Sequence, residues 1–316
     1  MSEQEVCLVA LAATQGVGPA TVNRLLRAAR RDGASLREVL AWPVDELRRK
    51  AKLASEQARA VAGLRPPIAL GRAVMDRLQR AGLGLLLRDR PGFPTRLTEA
   101  LGAEAPHVLF ARGDTALAGR RAVAVVGSRE PSPRARAAAQ RMAGGLAAGG
   151  TVVVSGGARG IDTVAHRAAL DEGATVVLPA TGLFRFRSRR SGAGGRPAGR
   201  WCVLSAFPPG SGWRSAQALM RNSHIVALAQ AVLAFDPRDC GGTWNSCTHA
   251  LRLGRPLFVV TGDRRGARGR GLRRLVRMGA QALDPDLMPS AAEFSRMVAV
   301  YQPPPSARQV DIFRRG

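Results

Sequence analysis

Two glycine-bearing segments carry the residue types best suited to holding a phosphate. The first, Val125-Val126-Gly127-Ser128-Arg129, ends an apolar run and precedes Pro131, Pro133 and a helical pattern. The second, Val154-Ser155-Gly156-Gly157-Ala158-Arg159-Gly160-Ile161-Asp162, also leads from an apolar run into a helix. Glycines let the backbone pass close to an anion, and N–H groups at a helix start add partial positive charge. Ser128 and Ser155 add hydroxyl donors, and Arg129 adds a planar fork that matches phosphate. The competing reading is structural: glycines for tight strand–helix packing, with Arg129 solvated or paired with Asp162. Two such loops on one sheet edge favour the phosphate reading.

Other chemistry is sparse. Asp162 and His166 are four apart and share a helical face, but no nucleophile accompanies them. The expected roles are a helix N-cap for Asp162 and a packed, hydrogen-bonded His166. A dinucleotide fingerprint fails because Ser155 stands where the first glycine belongs and the next strand runs to Pro179 and Ala180. No G-K-[ST] and no G-x-S-x-G is present, which excludes a P-loop ATPase and leaves an α/β-hydrolase triad without its nucleophile. Cys240, Cys247 and His249 lack a fourth ligand at metal spacing. No cofactor and no metal is expected.

The charge balance points to a polyanionic partner. Lys+Arg 48 against Asp+Glu 23 gives +25 in 316 residues. Lys50 and Lys52 are the only lysines, so arginine carries almost all of it, a bias that a GC-rich genome also produces. Arg185, Arg187, Arg189, Arg190, Arg196 and Arg200 lie in an acid-free Gly/Ser-rich stretch. Arg264, Arg265, Arg268, Arg270, Arg273, Arg274 and Arg277 form a second acid-free run. Each alone reads as a solvated face. On loops beside the two glycine segments they would form a groove tracking a nucleic-acid backbone. Aromatics are 4%, with one tyrosine, which argues against a stacking-rich OB or RRM module, although Phe184 and Phe186 are interleaved with the first cluster.

The elements that position these residues follow from periodicity. Residues 5–63 read as short helices, with Gln15-Gly16-Val17-Gly18-Pro19 between the first two. This is either a helix-hairpin-helix that presents N–H groups to phosphate or a plain αα-hairpin. From Leu85 the pattern changes to short apolar runs: 85–87, 108–111, 122–126, 151–154, 175–178, 202–204, 231–235 and 257–260. Helical stretches such as 133–148, 163–172 and 246–253 separate several of them. Continuous apolar strands alternating with helices give an α/β fold with a mainly parallel sheet covered on both faces. Such sheets bind ligands at the carboxyl ends of their strands. The expected division is a helical domain over 1–66, an α/β domain over 67–286 and a tail over 287–316, frayed from Gln302. No run reaches the roughly 18 apolar residues of a membrane span. Met1 to Val6 is acidic and reads as no signal peptide. Cys7, Cys202, Cys240 and Cys247 lack paired spacing and read as reduced thiols, so a cytoplasmic protein is expected.

An ordered series of motifs resembles the bacterial DNA-processing protein A (DprA, or Smf) family. It runs from the Gly16-Val17-Gly18 hairpin through Gly92-Phe93-Pro94-Thr95-Arg96-Leu97 and Pro106-His107-Val108-Leu109-Phe110-Ala111-Arg112-Gly113. The Gly127-Ser128-Arg129 loop, the stretch from Ser155 to His166, and Arg221-Asn222 with Ile225-Val226-Ala227-Leu228 complete it. The resemblance implies an extended Rossmann-like domain after a small helical, SAM-like one, and binding of single-stranded DNA without catalysis. It further implies a homodimer that loads the RecA recombinase during natural transformation, the competence pathway, and DNA recombination. Binding would fall to Gly127, Ser128, Arg129, Ser155, Gly156, Gly157, Gly160, Arg187, Arg189, Arg190, Arg221 and Asn222.

The chain departs from the family pattern in several places. The arginine- and glycine-rich stretch 184–200 replaces the family's Tyr-Pro-x-x-Asn. Ser205-Ala206 stands for Ser-Glu, Ser223 for an arginine, and Cys240-Gly241-Gly242-Thr243-Trp244 for Ser-Gly-Ser-Leu-x-Thr-Ala. Gly241-Gly242-Thr243 is similar to the loop of LOG-type phosphoribohydrolases, but no glutamate follows it between Trp244 and His249. A nucleotide-derivative sensor or a phosphoribohydrolase of that type is the alternative function.

Overall fold

In the computed structural model, which describes residues 1–187, 199–263 and 265–301, the apolar runs form strands and the stretches between them form helices. The chain divides into two units. The first holds residues 1–112, 181–186 and 204–212. Its helices are α1 (Glu3–Ala12), α2 (Pro19–Asp32), α3 (Leu36–Leu40), α4 (Val44–Lys50), α5 (Ser55–Ala62), α6 (Pro67–Arg80) and α7 (Thr95–Leu101). Strands β1 (Gly84–Leu87) and β2 (Val108–Gly113) pair antiparallel. Pro19 opens α2 with Gly18 as its N-cap, so the Gly-Val-Gly turn sits between two helices as its sequence indicates. Leu11, Leu25, Leu40, Leu47 and Val61 form the core of α1 to α5.

The second unit holds residues 113–180, 187, 199–203 and 213–301. In chain order it contains β3 (Ala122–Gly127), α8 (Pro133–Ala148), β4 (Val152–Ser155), α9 (Ile161–Glu172), β5 (Thr175–Val177) and β6 (Trp201–Ser205). Then follow α10 (Ser215–Leu228), β7 (Ala231–Phe235), α11 (Gly241–Arg252), β8 (Leu257–Val260), α12 (Gly266–Arg277), β9 (Gln281–Leu283) and α13 (Ala291–Ala299). The strands pair in parallel in the order β6-β5-β4-β3-β7-β8-β9. Alternate residues Val123, Val125, Val153, Leu233, Phe235, Phe258 and Val260 face α8, α9 and α13 in one core. From β3 the chain winds outward to β6, then returns to β7 and winds the other way. Right-handed crossovers therefore put α8 and α9 on one face and α10 and α11 on the other.

Three elements differ from the sequence expectation. The second arginine run, read as a loop, lies in helix α12 from Arg268 to Arg277, with Leu275 buried beneath it. Helix α11 starts at Gly241, five residues before the expected Ser246, and β9 was not foreseen. Arg189, Arg190, Arg196, Arg264 and the tail from Gln302 lie outside the described residues.

Candidate phosphate-binding site

The strand order reverses between β3 and β7, and the loops that follow these two strands diverge there. Such a switch point leaves a crevice at the carboxyl ends of the strands. The crevice is a cavity of about 600 Å³, lined by Gly127 to Glu130 after β3, Ala158, Arg159 and Asp162 before and within α9, residues of α10, and Asp236 to Thr243 after β7.

Close backbone approach shapes its floor. A Cβ on Gly127 would lie 2.6 Å from both Ile161 Cγ1 and the Phe235 carbonyl. Gly160, at φ 86°, lies against the Ser128 carbonyl and the Arg129 backbone, and Ile161 N–H donates to that same Ser128 carbonyl at 3.1 Å. The two glycine loops identified in the sequence are therefore in direct contact.

The second loop already holds a carboxyl group of its own. Asp162 is not the N-cap of α9, which is Gly160. Its Oδ2 instead accepts from Gly156 N–H at 3.2 Å and Ala158 N–H at 3.3 Å. Burial raises the Asp162 carboxyl above the usual carboxylate range, opposed by Arg221 and these two donors. Ser155 is fully buried behind the loop. Of the residues expected to bind phosphate, Ser155, Gly156, Gly157 and Gly160 form the wall beneath the cavity rather than its lining, and two of their region's N–H groups are taken.

Arg221 and Asn222, polar residues in the buried half of α10, both line the cavity and both brace it. Arg221, 8% exposed, lays its guanidinium over Gly156 and donates from Nη1 to the Leu178 carbonyl at 3.0 Å. Burial works against its charge, Asp162 supports it and the nearby Arg129 opposes it. Asn222 Nδ2 donates to the Gly242 carbonyl at 3.1 Å and to Asn245 Oδ1 at 3.0 Å, which fixes the first turn of α11. His166 pairs with Thr175, not with Asp162. Thr175 Oγ1 donates to the Val153 carbonyl at 2.6 Å, so it accepts from His166 Nδ1–H at 2.8 Å. Burial holds the His166 pKa down to about 3.

At the mouth the acids are engaged and two arginines are not. Glu130 pairs with Arg159 at 2.8 Å. Asp236, 1% exposed and at φ 48°, accepts from Ser132 N–H at 2.6 Å and Gly262 N–H at 3.0 Å. Arg129 and Arg238 are exposed, line the cavity, and have no hydrogen bond or acidic partner among the described residues. Arg129 thus does not pair with Asp162. Ser128 is half-buried, with its Oγ accepting from Glu130 N–H at 3.1 Å, which leaves its proton available. Arg187 is exposed and does not line the cavity.

Trp213, Asp236, Arg238 and Cys240 line the cavity and were not singled out as ligand-facing. Trp213 is 57% exposed where it lines the cavity. Asp236 and Arg238 follow directly on an apolar strand, the one signal that could have placed them. Among the described residues no cluster of His, Cys, Asp or Glu is placed to hold a metal, and no helix is long and apolar enough to cross a membrane.

A doubly wound, mainly parallel sheet with a crevice at its switch point defines a Rossmann-like protein. The model of the DNA recombination-mediator protein A family matches residues 84–290, and the chain belongs to that family. It is 34% identical over 220 residues to a DNA processing protein DprA of Mycobacterium tuberculosis, covering 66% of this chain but only 57% of that one. The fold matches the X-ray structure of DNA processing protein A from Streptococcus pneumoniae with a TM-score of 0.67 at 23% identity, over 96% of this chain and 99% of that one. The DNA processing protein A of Helicobacter pylori, solved for its single-stranded DNA binding mode, matches with a TM-score of 0.57 at 25% identity, over 70% and 97%.

Proposed function

We propose that the chain binds single-stranded DNA by its phosphates at the switch-point cavity, with little base readout and no chemistry on the strand. The observation that carries this reading is the mouth itself, where Arg129 and Arg238 have no partner among the described residues while Glu130, Asp162 and Asp236 are all engaged. Two exposed forks beside a hydroxyl favour a backbone phosphate. Trp213 at the rim offers a face on which any base can stack. The Helicobacter pylori relative's single-stranded DNA binding supports the same ligand class. On the family reading the protein works as a cytoplasmic homodimer in DNA uptake and recombination and passes the strand to RecA. A RecA pull-down tests that part alone.

The central test is a salt titration on single-stranded oligonucleotides of mixed sequence. Log K should fall with log salt by about 0.7 per phosphate neutralised. Affinity independent of salt, or confined to one sequence, overturns the proposal. A second reading rests on Gly241, Gly242 and Thr243 lining a cavity large enough for a nucleotide, which would make the protein a nucleotide-derivative sensor or phosphoribohydrolase. A screen with nucleoside monophosphates, monitoring both binding and base release, separates the two.

A further inference from the structure

One face of α12 is made of arginine alone. Arg270, Arg273, Arg274 and Arg277 fall at i, i+3, i+4 and i+7, on one side of the helix, and all four are exposed. Gly269, Gly271 and Leu275 are buried on the other side and fix this orientation. Gly271 packs directly on the loop after β7, since a Cβ there would lie 2.5 Å from the Pro237 carbonyl.

Two of the four arginines are moored to the rim of the cavity. Arg270 Nε lies 2.7 Å from Asp239 Oδ2, and the Arg274 guanidinium sits 4.6 Å from the Trp244 ring centroid. Asp239 and Trp244 flank the cavity-lining stretch Cys240 to Thr243. Arg273 and Arg277 have no acidic partner among the described residues; Arg277 Nε reaches only the Arg273 carbonyl, at 3.4 Å. No acid occurs between 265 and 277. Like charges at this spacing repel, so the stripe lacks an internal counter-charge and calls for one from outside.

We infer that this stripe is a second phosphate track, which continues the path of a bound strand from the cavity past Trp244 and along α12. Seven residues of helix span about 10 Å, long enough for more than one backbone phosphate. A lipid surface fits poorly, because interfacial helices turn apolar residues outward and here only Val276 is so placed. The inference rests on the DNA reading of the cavity, and oligonucleotide length separates the two.

The test uses the full chain and its Arg273→Ala/Arg277→Ala variant, with oligothymidylates of about 5 and about 20 nucleotides. These two arginines brace no other element, so melting should be unchanged. The variant should bind the long strand about tenfold more weakly, with a salt slope shallower by about 1.4, and the short strand as well as wild type. If wild type binds both lengths and the variant matches it on the long strand, or loses equally on both, the track is overturned and the stripe is left to an acidic protein surface. If wild type binds neither length, the DNA reading falls, and the track with it.

Discussion

Gly156 lies so close beneath Arg221 that a Cβ on the glycine would coincide with the arginine's Nη1. The absence of a side chain at 156 is what seats a buried guanidinium against the carbonyl of Leu178. The glycine loop of β4 therefore packs the floor of the cavity; it does not present an empty cradle to solvent. Gly156→Ala should unseat Arg221 and lose a charge-assisted hydrogen bond, about 1.5–3 kcal/mol. Thermal melting checks this, and an unchanged midpoint would show that the guanidinium is not held there.

Arg129→Ala should act on binding alone. The side chain is exposed and has no partner among the described residues, so nothing in the fold depends on it. Affinity for single-stranded DNA should drop about ten- to a hundredfold at an unaltered melting temperature. Arg129→Lys should restore part of the loss, since a point charge lacks the planar fork. Wild-type affinity in the alanine variant would remove Arg129 from the site.

Cys240 gives a reporter at the cavity. It is exposed, whereas Cys7, Cys202 and Cys247 are buried, and burial pushes the thiols of Cys202 and Cys247 up to about 12. A maleimide should label one thiol of the folded chain quickly and the other three only on unfolding. Saturating oligonucleotide should slow that labelling severalfold, as followed by mass spectrometry. An unprotected Cys240 would place the strand elsewhere.

Stability should fall on mild acidification. Burial lowers His166 to about 3 and His224 to about 4, from an unfolded value near 6.5. Below pH 6.5 the unfolded chain binds protons that the folded chain refuses. The stabilising contribution is therefore complete above 6.5 and declines as pH drops toward 4. The slope approaches about 1.4 kcal/mol per pH unit for each histidine. Denaturant melts between pH 7 and 4.5 measure it, and a flat profile would mean that neither ring is buried as neutral imidazole.

The sheet was legible because parallel strands buried on both faces must be apolar throughout, and runs such as Ala231–Phe235 stand out against their surroundings. Strand β9 was not, since Gln281–Leu283 has only three residues, and Gln281 and Ala282 are exposed. Helix α12 was hidden by its glycines: Gly269 and Gly271 lie within the helix, and Gly271 lets it lie against Pro237 and Arg238. At the site, Arg129 beside Ser128 was readable from residue type alone. The occupation of the second loop by Asp162 was not, because an aspartate two residues into a helix reads as a cap until the loop's N–H groups are seen to turn toward it. Trp213 carries no pattern at all, and only its exposure marks it.

Asp236 has a consequence beyond geometry. Its carboxylate clasps the loops after β3 and β8 to the end of β7 through Ser132 and Gly262, in a backbone conformation that few residues other than glycine adopt. Three loops that would otherwise fluctuate separately are joined into one rim, and their ordering entropy is lost during folding. On the proposed function, a flexible strand would meet a mouth that is already assembled, so nearly all the disorder surrendered on association would belong to the nucleic acid.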